Sequence, residues 1–140
     1  MDFRASAEVN QPASDAMVKV RRCVMPFLNA AFAGSSLATL EGTLRYTPII
    51  MPLGMRERYP ARSKLRKKER IYDCSPQLDY DLFVTGSFED QLREYLRGIA
   101  ASARHLAGLG ASKVQIDDFE KIMATAVERI LVERPDQPRH

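Results

Sequence analysis

Between Ile71 and Phe83 the chain reads IYDCSPQLDYDLF, and its apolar and polar side chains alternate with a period of two. Successive side chains of a strand point to opposite faces. This spacing therefore predicts an apolar back of Tyr72, Cys74, Leu78, Tyr80 and Leu82, and an acidic front that carries Asp73, Asp79 and Asp81 with Ser75 and Gln77. Pro76 interrupts the pattern, and its missing N–H argues for an edge, a bulge or a bend there.

The charges around this stretch are segregated. From Arg56 to Arg70 eight Lys or Arg residues stand against Glu57 and Glu69, a net of +6 in a chain whose total is +3. From Ile71 to Leu92 there is no Lys or Arg, while Asp73, Asp79, Asp81, Glu89 and Asp90 accumulate. The isoelectric point near 9.0 thus conceals an acidic surface beside a basic segment.

A chain of 140 residues suffices for one domain that buries roughly 68–70% of its unfolded surface without metals or disulfides. We expect a single domain over residues 1–133 and a flexible tail over 134–140, where two prolines and no apolar anchor occur. Cys23 and Cys74 lie far apart, outside any paired motif, and read as reduced core thiols. The opening MDFRASAEVN lacks the apolar region of a secretory signal. No run reaches the ~18 apolar residues of a membrane span. A soluble, cytoplasmic protein is the expectation.

In order along the chain, Phe3, Ala5, Ala7 and Val9 alternate with polar residues and predict a first strand. After Gln11-Pro12 a helix is expected, capped by Ser14 or Asp15, with Met17, Val20, Val24, Phe27, Leu28 and Ala31 on its inner face and Pro26 kinking or dividing it. Gly42 to Met51 predicts a second strand, bent or edge-placed at Pro48. From about Ala61 a long third strand should run into the acidic stretch. Ser87 with Asp90 makes a partial capping box for a helix whose apolar face is Leu92, Tyr95, Leu96, Ile99, Ala103 and Leu106. Gly108 and Gly110 should stop it. Ser112 with Gln115 forms a better box for a last helix that buries Ile116, Phe119, Ile122, Met123, Ala126 and Ile130. The order β-α-β-β-α-α is that of an α+β domain, with a small, mostly antiparallel sheet, helices on one face and the acidic face open.

Reactive groups are sparse. His105 and His140 are the two histidines, and His105 near a helix end suits the C-terminal dipole better than a catalytic base. No glycine-rich phosphate loop and no zinc spacing occurs. Asp79 and Asp81 on one strand face would lie about 7 Å apart, which could suit a metal or acid–base pair but equally a solvated face. The run ARSKLRKKER could form a nucleic-acid stripe along Arg62, Lys64, Arg66 and Lys68. An edge strand guarded by cations against sheet-to-sheet aggregation gives the same pattern, and the flanking carboxylates would repel phosphate.

Several segments together resemble a known family. They are an opening strand ending in SAEV, a helix with VRRCV and LNAAF, the RYTPIIMP strand, the basic YPARSKLRKKERIYD strand, QLDYDLF, and a helix ending in ARHL. Over most of residues 1–107 this layout resembles the bacterial polymorphic-toxin immunity proteins, specifically the immunity protein 44 family. The resemblance implies an antitoxin without catalytic activity, cofactor or metal. It implies binding to the C-terminal domain of a cognate toxin of a contact-dependent growth inhibition system. That toxin would be a nuclease, transfer-RNA-cleaving enzymes included, and inhibition would work by occlusion. A negative surface can imitate a phosphate backbone, so Asp73, Asp79, Asp81, Glu89 and Asp90 become the candidate toxin-binding residues. Tyr80, Tyr72 and Phe88 are candidate anchors, the two tyrosines also fitting the strand's buried back. A nucleic-acid-binding role for residues 56–70 is the alternative.

Overall fold

The structure, a computed structural model, describes residues 2–3, 11–50 and 60–133. Its elements are β1 (Asp2–Phe3), α1 (Gln11–Ala33), a 3-10 turn (Ser36–Thr39), β2 (Thr43–Tyr46), β3 (Ile49–Ile50), β4 (Arg62–Arg66), β5 (Ile71–Ser75) and β6 (Gln77–Leu78). Then come α2 (Tyr80–Thr85), α3 (Phe88–Ala100), a 3-10 helix (Ala101–Leu109) and α4 (Lys113–Glu133). The class is α+β, as the element order implies. The expected strand over residues 4–9 and the tail after Glu133 lie outside the described residues.

The sheet is mixed rather than mostly antiparallel. Its order is β1-β2-β5-β4, with β1, β2 and β5 parallel and only β4 antiparallel to β5. Alternation reveals which face a residue occupies but not the direction of its strand. The single long strand expected from Ala61 is instead a hairpin, broken by a turn over Lys67–Arg70. β4 takes the outer position and β5 returns between it and β2, parallel to β2. No Gly, Asn or Pro marks that turn. Arg70 adopts a left-handed φ of 54°, held by its carbonyl, which accepts from Thr43 N at 2.8 Å, and by its guanidinium, which donates to Leu109 O at 3.1 Å.

The parallel ladder survives two prolines. Thr43 donates to Arg70 O, Thr47 to Cys74 O at 2.9 Å and Ile49 to Pro76 O at 2.8 Å. The register is unchanged from Thr43↔Ile71 to Ile49↔Gln77. Because N–H groups alternate sides, Pro48 faces away from β5 and costs this ladder nothing, whereas Pro76 removes one donor. Both prolines interrupt strand geometry, β2 giving way to β3 at Pro48 and β5 to β6 at Pro76, and β3 with β6 forms a separate two-stranded parallel pair. The bulge considered at Pro76 does not occur, since the register is kept.

α1 starts at Gln11, so Ser14 and Asp15 lie within its first turns instead of capping it. It continues through Pro26, which is solvent-exposed, without being divided. Met17, Val20, Val24 and Leu28 on α1 share one core with Leu44, Tyr46, Cys74 and Leu78 of the sheet, Leu92, Tyr95, Leu96 and Ile99 of α3, and Phe119, Met123 and Ala126 of α4. On the predicted apolar faces of the last two helices Leu92, Tyr95, Leu96, Ile99, Leu106, Phe119, Met123, Ala126 and Ile130 are buried, and Ala103, Ile116 and Ile122 half-buried. The first of these helices, expected to run on to Gly108, is α-helical only to Ala100 and continues as the 3-10 helix. Ser112 and Gln115 form the reciprocal cap of α4, at 2.8 and 3.2 Å. Gln115 also donates to Ser36 O at 3.0 Å, and Ser36 bonds Asp118, which ties the chain after α1 to the start of α4.

Sheet and helices meet closely at Tyr46. Its ring is fully buried and stands edge-on to Tyr95 at 5.4 Å, and its hydroxyl donates to the Tyr95 carbonyl at 3.0 Å. A Cβ at Gly98 would come within 2.2 Å of that hydroxyl and 3.0 Å of Leu78. Only glycine therefore lets α3 approach the sheet this closely. Gly98→Ala should cost about 2–3 kcal/mol, measured by urea denaturation, and the cost should fall by about half or more in a Tyr46→Phe background, where the clashing oxygen is gone.

Candidate functional site

The structure divides the residues expected on the acidic front. Of the three aspartates Asp73 alone lies on the sheet, on the face turned away from the core, half-buried and in register between Arg45 and Lys64. Its carboxylate is engaged on both oxygens, by Arg45 Nη1 at 3.4 Å and Arg66 Nε at 2.8 Å. Asp79 and Asp81 do not continue that row, because strand geometry ends at Leu78. Asp79 caps α2: its Oδ1 accepts from Asp81 N at 3.0 Å, and its own N–H donates to Glu94 Oε2 at 2.7 Å. An aspartate is a strong N-cap, and in the DYDLF segment that local preference overrides the alternation.

Asp81 then falls in the first turn of α2, and Glu89 and Asp90 in the first turn of α3. Ser87 caps α3 by accepting from Asp90 N at 3.1 Å. Glu89 pairs with Arg93 at 3.1 Å, and Arg93 reaches on to Glu128 at 3.7 Å. Among the described residues no basic side chain pairs with Asp81 or Asp90. The starts of α2 and α3 thus carry four exposed carboxylates, Asp79 and Asp81 on the first and Glu89 and Asp90 on the second, with half-buried Tyr80 and Phe88 and exposed Val84 on the same two helices. Lys19 Nζ lies 5.8 Å from the centre of the Phe88 ring. Carboxylates are favoured at helix N-termini by the macrodipole, so the fold tolerates this concentration.

What sequence reasoning missed is the sign of this sheet face. Arg45 on β2 and Arg62, Lys64 and Arg66 on β4 share that face with Asp73, which makes it net basic among the described residues. The signal was present: Arg45 lies between Leu44 and Tyr46, both fully buried, and alternation must turn it outward. Lys68, assigned to the same charged row, lies in the turn instead.

The remaining reactive groups meet in a cleft of about 120 Å³ between the start of β4 and the 3-10 helix, lined by Arg62, Cys74, Ser102, Arg104 and His105 among others. Burial raises the Cys74 thiol to about 11, against a smaller opposing effect of the Ser102 hydrogen bond. At neutral pH it is a thiol, not a nucleophilic thiolate. His105 stacks on Tyr72 with ring centres 4.3 Å apart, and its pKa is lowered, first by burial and then by Arg104. Among the described residues no group of three His, Cys, Asp or Glu side chains converges to hold a metal, and no helix is long and apolar enough to cross a membrane.

The lowered His105 pKa sets the sign of a pH effect. The fold favours the neutral ring, so unfolding takes up a proton as pH falls below the ordinary histidine value of about 6.5. Its contribution to stability is intact above that value and is lost as pH drops through the folded one. Denaturant midpoints measured from about pH 7 down to about pH 5 should fall less steeply in His105→Gln than in the parent chain. No protein-family model, no curated protein and no solved structure matches this chain.

Proposed function

We propose that this chain is an immunity protein: a non-enzymatic antitoxin that binds the C-terminal domain of a cognate toxin, a nuclease, and blocks it by occlusion. The observation that carries the reading is the α2–α3 corner, where two capped helix starts carry four exposed carboxylates and the same helices hold half-buried Tyr80 and Phe88 and exposed Val84. A nuclease must hold a polyanion and so presents a basic cleft. An acidic, pre-organised corner complements such a cleft, speeds encounter and disfavours other partners. Tyr80, Phe88 and Val84 supply the apolar contact that charge alone does not provide. Asp73, already neutralised by two arginines, drops out of the proposed interface. The producing cell's cytoplasm is the compartment in which such protection would act.

A second reading keeps one observation in its favour, the basic sheet face of Arg45, Arg62, Lys64 and Arg66, which could track a nucleic-acid backbone. The aromatic side chain nearest to it in the strands, Tyr72, belongs to the opposite face, so the base-stacking platform of a single-strand binder is missing there among the described residues.

The two readings separate in one experiment. The toxin domain encoded beside this chain should bind it at nanomolar Kd or tighter. Asp81→Lys combined with Asp90→Lys should weaken that binding by about a hundredfold and abolish protection, with circular dichroism unchanged. Asp79→Asn, which keeps a capping oxygen, should leave the fold intact and weaken binding less. Undiminished protection by the double variant would remove this corner, and RNA retention abolished by Arg62→Glu and Arg66→Glu would favour the second reading.

A further inference from the structure

Among the described residues the strand β4 presents an unused pairing edge, and its outward groups can be assigned. Thr43 and Thr47 donate to Arg70 O and Cys74 O, so the even-numbered carbonyls of this stretch face β2. The main-chain groups of Ile71, Asp73 and Ser75 therefore face β4, where their register partners are Arg66, Lys64 and Arg62. Those three residues spend their N–H and C=O groups inward. Ser63 and Leu65, between them, turn theirs outward, and among the described residues β4 pairs with β5 alone.

The side chains beside that edge are cationic. Arg62, Lys64 and Arg66 are exposed and project onto the face turned away from the core at alternate positions. Arg66 already holds Asp73, but among the described residues neither Arg62 nor Lys64 has a carboxylate partner. Below the edge, Ser63 and Ala61 border the cleft lined also by Arg104. An extended segment laid along β4 would take its main-chain bonds from Ser63 and Leu65. Its alternate side chains would then stand about 4.5–5.5 Å from Arg62, Lys64 and Arg66.

We propose that β4 is a strand-addition site for an extended, acidic segment of a partner protein, with carboxylates at every second position opposite Arg62, Lys64 and Arg66. Main-chain pairing supplies adhesion, and the cation row selects charge and register. The same cations deter a second copy of this chain, since β4 against β4 would oppose like charges. This inference is independent of the acidic α2–α3 corner and stands or falls separately from it.

The test uses the full chain and a fluorescein-labelled peptide, ETEVETE, followed by anisotropy, with the reordered peptide EEEETTV as a control of equal charge and composition. The alternating peptide should bind at least tenfold more tightly than the control. Ser63→Pro removes an outward N–H without touching the β4–β5 ladder and should weaken binding at least tenfold, as should Lys64→Glu. Amide exchange at Ser63 and Leu65 should slow on binding. Equal binding of the two peptides, or affinity unmoved in folded Ser63→Pro, would reduce the surface to plain charge attraction and overturn the proposal. So would absence of binding, or displacement of the peptide by a single-stranded oligonucleotide whose own affinity is indifferent to Ser63→Pro.

Discussion

The β2–β5 ladder is the constraint from which the rest of the arrangement follows. It runs from Thr43 opposite Ile71 to Tyr46 opposite Cys74, and beyond both prolines the β3–β6 pair carries the same register on to Ile50 opposite Leu78. Register decides faces, since a slip by one residue would exchange every side chain between core and solvent. In the observed register Leu44, Tyr46, Cys74 and Leu78 all turn inward. Tyr46 can then reach the Tyr95 carbonyl, and Gly98 leaves the space for it. The same register turns Arg45 outward beside Asp73. Core and charged face are two consequences of one pairing.

Parallel pairing of β2 with β5 needs the chain to come back before β5 begins, and β4 is that return. It is placed at the edge with its cations exposed. The carboxylates that follow in sequence are used differently. Asp73 balances two arginines on the sheet, whereas Asp79, Asp81, Glu89 and Asp90 settle on helix starts, where backbone N–H groups and the macrodipole offset their mutual repulsion. Two surfaces of opposite sign result, a basic sheet face ending in a pairing edge and an acidic corner between α2 and α3.

Much of this was legible in the residues. The helical faces of Leu92 to Leu106 and of Ile116 to Ile130, the cap at Ser112 and the burial of Cys74 and Leu78 all follow from period and capping chemistry. Three features were not. Strand direction is invisible to alternation, so the mixed sheet could not be read from it. The turn at Lys67–Arg70 uses an arginine at positive φ where glycine or asparagine would have signalled it. The DYDLF segment satisfies a strand period and a helix cap at once. Asp79's bond to the Asp81 amide resolves that ambiguity toward helix, which moved two candidate acids off the sheet and changed the sign of its outward face.

The proposed role rests on recognition through a charged, capped corner without chemistry on the partner. Hydrogen–deuterium exchange of the chain with and without the adjacent toxin domain addresses that most directly. The account predicts slowed exchange across α2 and the first turns of α3, with the outer face of α4 unchanged. Protection confined to other elements, or a toxin domain that leaves the exchange pattern unaltered, would contradict it.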